Sequence, residues 1–310
     1  MKTAKPFIKW VGGKSRLLDQ LEVFFPRELK NGRIKQYVEP FLGGGALFFA
    51  ISEKYKIKNA CLSDMNKDLI LTYIIVQQKP EFLLDYLKQF QDEYDSMDQE
   101  KRTVLFLSVR EHFNKQRFEI NYRKISENWI PRAAQFIFLN KTCFNGLFRL
   151  NSKKEFNVPH GRHKTAAIFD EENVLAASTA LQNAVITPSK YADCYNKVDQ
   201  DTFVYFDPPY RPITQTSSFT SYTGNDFCDK QQIELAEFYS KLDREKGAKL
   251  MLSNSDPSNN NPNDHFFEKA YSGYNISKVF AGRAVNCKGG KRGKINELLI
   301  TNYETYGKTI

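Results

Sequence analysis

Asp207-Pro208-Pro209-Tyr210 brings together a carboxylate, a rigid pair of carbonyls and an aromatic ring in consecutive residues. A planar amine needs acceptors for its hydrogens, and Asp207 with the Pro208 carbonyl can supply them. Accepting from the amine keeps its lone pair available for attack on an electrophile. Tyr210 offers a face on which a ring can stack. The competing reading of the same residues is a proline turn after a core strand, with Asp207 capping the next helix. A motif this short needs the rest of the chain to decide between them.

The element that must position it is the stretch Phe203-Val204-Tyr205-Phe206, whose β-branched and aromatic residues read as a buried strand. Two prolines fix φ and remove two backbone donors, so the strand stops at Asp207. The carboxylate is then held at the carboxyl end of a strand, where ligands bind in open α/β sheets.

Upstream, Tyr37-Val38-Glu39-Pro40-Phe41-Leu42-Gly43-Gly44-Gly45-Ala46 reads as strand, glycine turn, helix. Gly43 and Gly45 match the first half of a dinucleotide fingerprint, but Phe48 stands where its third glycine belongs. The turn therefore allows close backbone approach to a cofactor without a clear pyrophosphate cradle. A second strand, Ala60-Cys61-Leu62-Ser63-Asp64, ends in an acid 19 residues after Gly45, the spacing at which an acid meets ribose hydroxyls. Together these point to an adenosyl ligand. Near the N-terminus, Lys9-Trp10-Val11-Gly12-Gly13-Lys14-Ser15 fails as a phosphate loop, because the first glycine of that motif would fall at Ile8. It reads either as a turn presenting Lys9, Trp10 and Lys14 to a ligand or as a hydrophobic staple before a helix over residues 15–25.

From residue 80 to about 141 the pattern changes. Leu83, Leu87, Phe90 and Tyr94 recur at helical spacing, Val104, Leu105, Val109 and Phe113 suggest another amphipathic helix, and a third covers 132–139. This is a helical insertion in an α/β chain. Behind it, from Lys141 to Lys164, six cations face Glu155 alone. Asn-Gly turns there, flanked by basic and aromatic residues, can put Arg149 against a guanine edge and Phe144 between bases, or simply close a hairpin with solvated charges. After Asp207 the α/β pattern resumes. Asp229-Lys230-Gln231-Gln232 resembles a capping box and opens a helix through Leu242. Leu250-Met251-Leu252-Ser253-Asn254 is a buried strand with a polar end, residues 287–294 form a basic glycine-rich loop able to meet phosphates, and Asn296-Glu297-Leu298-Leu299-Ile300-Thr301-Asn302-Tyr303 is a final strand.

With 310 residues, 41% of them hydrophobic, the chain can bury the core of one large α/β domain or two smaller units. A net charge of +9 and a pI near 9.1 make a polyanion a fitting partner. The longest apolar run, 41–51, is too short to span a membrane, and no apolar signal core follows the first charges, so the expected location is the cytoplasm. Five cysteines lie far apart with no Cys-x-x-Cys pair, which fits reduced thiols and no zinc site. His160 and His163 complete no metal pattern and are expected on a nucleic-acid-facing or solvated loop.

Taken in order, Lys9-Trp10-Val11-Gly12-Gly13-Lys14, Glu39-Pro40-Phe41-Leu42-Gly43-Gly44-Gly45, Asp64, Asn145-Gly146-Leu147-Phe148-Arg149, Phe156-Asn157-Val158-Pro159-His160-Gly161-Arg162 and Asp207-Pro208-Pro209-Tyr210 resemble the DNA adenine methylase family, which methylates adenine in duplex DNA. The resemblance implies a Rossmann-like, S-adenosylmethionine-dependent methyltransferase fold of the α/β class. Residues 1–75 and 166–310 would form its discontinuous catalytic domain, and 76–165 a helical target-recognition domain with a hairpin loop. It implies that Trp10, Lys14, Asp64 and Asp207 contact the methyl donor alongside the Gly43 and Gly45 turn, with Asp64 on the ribose. Asp207, Pro208 and Tyr210 would hold an adenine flipped out of the duplex, since its amine is out of reach inside the stack. Methyl would pass directly from sulfonium to amine. Consistently, none of the 12 prolines is followed by the cysteine nucleophile that ring-carbon methylation uses. Lys9, Leu147, Arg149 and Pro159 would read bases in the manner of GATC-recognising members. Phe144 and Asn145 would fill or flank the vacated gap, and Arg162 belongs to the same DNA-contacting set. Double-stranded DNA is the implied partner, with a cognate restriction endonuclease as a genetic one, a monomer as the working form and no metal. An RNA adenine or a protein amide is the alternative substrate, because Asp-Pro-Pro-Tyr serves any planar amine. A non-catalytic DNA-binding protein that retains the fold is the reading from a different class.

Overall fold

The computed structural model describes residues 3–211, 227–282 and 294–305. Its centre is a sheet built from β1 (Gln36–Glu39), β2 (Asn59–Asp64), β3 (Ala184–Pro188), β4 (Thr202–Phe206), β5 (Lys249–Ser255), β6 (Asn275–Gly282) and β7 (Lys294–Thr301). They lie side by side in the order β3-β2-β1-β4-β5-β7-β6. β3, β2, β1, β4 and β5 run parallel, and β7 enters antiparallel between β5 and β6. The helices are α1 (Leu18–Val23), α2 (Arg27–Lys30), α3 (Ala46–Lys54), α4 (Lys67–Gln78), α5 (Pro80–Ser96), α6 (Gln99–Gln116), α7 (Trp129–Thr142), α8 (Glu171–Leu181), α9 (Asp229–Lys246) and α10 (Phe266–Ala270).

Strand periodicity explains why β4 reads as an unbroken apolar run. Phe203 and Tyr205 point into one hydrophobic layer and Val204 and Phe206 into the other, so every position is buried. Tyr37 and Val38 of β1 divide in the same way, as do Met251 and Leu252 of β5. On one face lie α9 and α10, with Leu235, Tyr239, Leu242 and Phe267. The other layer takes in α3, α4, α8 and the whole group α5, α6 and α7. The helical stretch thus shares a core with the sheet's own helices.

The expected helix over residues 15–25 divides into a 3-10 turn at Lys14–Arg16 followed by α1. The helix expected over 132–139 extends to both sides as α7, Trp129–Thr142. α9 is capped one residue earlier than the capping-box reading places it: the Cys228 N–H donates to the Gln231 side chain at 3.2 Å, while Gln232 turns inward. Of the basic glycine-rich loop, residues 287–293 lie outside the described residues.

Candidate active site

Parallel β1 and β4 are neighbours at the middle of the sheet, with β2 beyond one and β5 beyond the other. Chain progression reverses between them, which opens a crevice past their carboxyl ends. Both strand ends carry an acid into that crevice, Glu39 from β1 and Asp207 from just past β4. The glycine turn leads from β1 into α3, and Asp64 closes β2 next door.

Asp207 does not cap a helix. Lys14 Nζ donates to both of its carboxylate oxygens at 2.7 Å and to the Gly12 carbonyl at 2.8 Å. The same ammonium lies 4.9 Å from the centroid of the Tyr210 ring. Lys14 is only 3% exposed, so this pair works in a low dielectric. Tyr210 in turn donates from its hydroxyl to Glu297 Oε2 at 2.6 Å. A carboxylate has about four lone-pair sites, and Lys14 occupies one on each oxygen, so Asp207 retains acceptor capacity for an amine.

Burial pushes the Asp207 carboxyl up to about 6, with Lys14 opposing the shift and Glu297 adding to it. Glu39 is pushed up to about 8 by burial although the Tyr37 hydroxyl donates to it at 2.8 Å. Burial also raises Asp64, against the backbone N–H groups of Asn66, Gly43 and Met65. Burial is the main cause in all three, and perturbed acids gathered at strand ends of this kind mark a candidate functional site.

Asp64, expected to meet a ribose, is bonded into the glycine turn beside it. Its Oδ2 accepts from the Gly43 N–H at 3.1 Å and its Oδ1 from Asn66 N–H at 2.9 Å. Gly43 and Gly45 both adopt left-handed φ, +48° and +64°. The space left by their missing side chains is already used. A Cβ at Gly43 would stand 2.7 Å from Trp10 Cδ1, and one at Gly45 would stand 2.7 Å from the Tyr73 hydroxyl. These glycines are thus required by packing within the protein as well as by the turn. Trp10, expected to offer a stacking face, gives one face to Phe148, with centroids 5.9 Å apart and planes at 20°.

The residues expected at DNA gather around one hairpin, which the antiparallel bridges Cys143–His160 and Leu150–Phe156 define. Phe144 N–H donates to the Pro159 carbonyl at 2.9 Å, and Arg149 Nε donates to Asn157 Oδ1 at 2.9 Å. Lys9, Phe144, Asn145, Arg149, Pro159 and Arg162 are exposed, whereas Leu147 is half-buried against the core. Asn145 sits at φ +56° and Gly146 at +63°, and a Cβ on Gly146 would meet Lys9 Cδ at 2.4 Å. The N-terminal loop and the hairpin therefore present one surface.

Sequence reasoning missed the residue that joins them. Buried Asn140 accepts from Lys9 N–H at 2.8 Å and donates to the Lys9 and Gly146 carbonyls at 2.8 and 3.1 Å. Its only signal was its place at the head of the turn-rich segment. Two histidines contradict the expectation of a nucleic-acid-facing or solvated loop. His160 bridges the Tyr94 hydroxyl at 3.1 Å and the Thr103 hydroxyl at 3.0 Å and stacks on Phe106, while His163 meets the Cys143 carbonyl at 3.1 Å. His160 pins the hairpin to α5 and α6, because an imidazole ring satisfies two polar groups where apolar packing excludes water, while His163 ties the hairpin to itself.

The profile of the D12 class N6 adenine-specific DNA methyltransferases matches residues 10–285. The chain is 51% identical to the type II methyltransferase M.MjaIII of Methanocaldococcus jannaschii, over 96% of this chain and 99% of that one. It is 36% identical to the type II methyltransferase M1.LlaDCHI of Lactococcus lactis subsp. cremoris, over 96% and 95% of the two chains. Similarity to the DNA adenine methylase of Escherichia coli K12 is 33% identity, again over 96% and 95%.

Proposed function

The chain belongs to the D12 class of N6 adenine-specific DNA methyltransferases, and from that membership we propose which of its residues do the work. Asp207, Pro208 and Tyr210 receive an adenine flipped out of a short duplex motif. Trp10, Lys14, Gly43, Gly45, Asp64 and Asp207 form the seat of S-adenosylmethionine. The observation that carries this reading is the Lys14–Asp207 pair under the Tyr210 ring at the sheet's switch point.

The residues fit the donor by chemistry, since the carboxyls of Asp64 and Asp207 stand at the ends of β2 and β4 and can accept from its hydroxyls and face its cationic sulfur. S-adenosylmethionine supplies an electrophilic methyl on a positively charged sulfur. Asp207 and the Pro208 carbonyl accept hydrogen bonds from the adenine amine, which points its lone pair out of the ring plane. Tyr210 stacks on the extruded base, replacing the stacking lost from the duplex. Asp64 faces ribose hydroxyls with the lone pairs left after its bonds to Gly43 and Asn66.

On the DNA side we assign Lys9, Leu147, Arg149 and Pro159 to base readout, Phe144 and Asn145 to the gap, and Arg162 to the same surface, with GATC as the favoured motif. Phe144 is 51% exposed beside the Cys143–His160 bridge at the base of the hairpin, which suits an intercalating wedge. We divide the chain into a catalytic part, 1–75 and 166–310, and a recognition part, 76–165. The type II names of two relatives support a restriction endonuclease as genetic partner. The working form we propose is a monomer on cytoplasmic DNA with no metal.

The test is sequencing of DNA from adenine-methylation-deficient cells expressing the protein, with detection of modified adenine. Modified adenine confined to GATC supports the whole assignment. Another single motif keeps the catalytic roles and discards the readout set. No modified adenine from a folded, donor-binding protein overturns the reading.

A further inference from the structure

The backbone that carries Tyr210 has lost its ordinary means of support. β4 pairs with β5 as far as Phe206–Leu252. Beyond that point Pro208 and Pro209 have no N–H to continue the ladder. β5 runs on to Ser255, and side chains take over where backbone pairing ends. Gln232 Nε2 of α9 donates to the Pro209 carbonyl at 3.0 Å. Asn254 Nδ2 of β5 donates to Gln232 Oε1 at 3.1 Å. Asn254 Oδ1 then accepts from the backbone N–H groups of Arg211 at 3.2 Å and Ser255 at 2.9 Å. Gln232 and Asn254 are both fully buried, at 0% exposure.

This relay has a direction. Each amide accepts on one side and donates on the other, and turning either one over sets oxygen against oxygen or N–H against N–H. A buried polar chain of this kind is stable only when complete, and it then imposes one geometry. Its two ends grip residues 209 and 211, on either side of Tyr210. The Arg211 side chain is clamped as well, to Asp229 at 2.6 and 3.0 Å and to Asp264 at 2.6 Å, with its guanidinium 4.3 Å from the Phe266 ring centroid.

We propose that Gln232 and Asn254 are positioning residues for methyl transfer: the relay fixes the backbone on both sides of Tyr210, and through it the ring and the Pro208 carbonyl that meet the adenine. This rests on the assignment of Asp207, Pro208 and Tyr210 to the base. Both residues are fully buried and lie outside the set assigned to base and donor, so the loss should appear in kcat, with donor KM and DNA affinity nearly unchanged.

Labelled methyl transfer to unmethylated, PCR-amplified genomic DNA tests it, using the native protein, Gln232→Leu and Gln232→Glu, each folded by circular dichroism and assayed well below its melting temperature. Gln232→Leu should lower kcat by about 10–100-fold, the scale set by misplacing a reacting group by about 1 Å. Gln232→Glu separates positioning from mere stability. A protonated carboxyl has the shape and the donor–acceptor order of the amide, while the carboxylate cannot donate to Pro209. Its kcat relative to native should therefore rise as pH is lowered from 9 to 6. Native-like kcat in folded Gln232→Leu overturns the proposal. If that variant does not fold, a pH-independent kcat ratio for Gln232→Glu overturns it. A native protein that transfers no methyl instead sinks the assignment of the site, which keeps the two failures distinct.

Discussion

Asp207 shows how opposed forces tune one side chain. Burial disfavours its charge, and Lys14, bonded to both oxygens, restores part of what burial takes. The carboxylate form is the one that accepts from an amine, so activity should fall as pH drops through about 6 in the free enzyme. Removing the cation removes an influence that lowers the carboxyl's pKa. Lys14→Met should therefore shift the acid limb of the kcat/KM profile upward, with a deficit at pH 7 that shrinks at pH 8.5. A pH–rate profile of both proteins checks this, and an unmoved acid limb would show that another group titrates there. Asp207 and Lys14 were legible from residue type and local motif. Their pairing was not, because the partners are 193 positions apart.

At the scale of elements, the glycine turn between β1 and α3 carries a prediction with its own control. Gly45→Ala places a Cβ at φ +64° and 2.7 Å from the Tyr73 hydroxyl, which donates to the Gly43 carbonyl. Gly247 ends α9 at φ +63°, and its nearest neighbour to a new Cβ is Gln200 Cβ at 4.0 Å. Each alanine should cost about 1–2 kcal/mol from left-handed backbone alone. Only Gly45→Ala should also weaken donor binding, because pushing Tyr73 aside releases the loop that Asp64 holds. Urea melts with calorimetric titration of S-adenosylmethionine test both. Equal donor affinity in the two variants would refute the role of the Tyr73 contact. β1, which leads into this turn, was legible because it is buried on both faces. The edge strands β3 and β6 were not read, since β3 alternates buried with exposed residues and ends in a proline, and β6 carries charged Lys278.

Across the whole molecule, the helical stretch is tied to the catalytic sheet by a buried ion pair. Arg132 of α7 is 1% exposed and donates from Nε and Nη2 to Asp68 of α4 at 2.9 and 3.0 Å. Its guanidinium lies 3.4 Å from the Phe113 ring centroid, and the Tyr122 hydroxyl adds a bond to Asp68 at 2.7 Å. Asp68 stands in the first turn of α4, whose N-cap Asn66 is bonded to Asp64. The link between α7 and α4 thus leads directly to the acid assigned to the ribose. Asp68→Ala leaves Arg132 charged and buried without a carboxylate, which should cost about 3–5 kcal/mol. The double replacement Asp68→Leu with Arg132→Met should cost less, and equilibrium urea denaturation of the three proteins decides it. A single mutant no worse than the double would show that the pair contributes little.

By itself the sequence determined what depends on neighbours along the chain. The strand that stops at Asp207, the glycine turn, the helical stretch and the basic hairpin all follow from periodicity, from proline's missing N–H and from local charge. Tertiary structure alone decided what depends on burial and on contacts between distant residues. It turned Lys14 onto Asp207, drew His160 among the supporting helices, set Asn140 between Lys9 and Gly146, and pointed Gln232 at the Pro209 carbonyl. The physical reason is common to all four. A polar side chain removed from water must find a partner, and that partner is set by which elements the fold packs together, which sequence spacing does not encode.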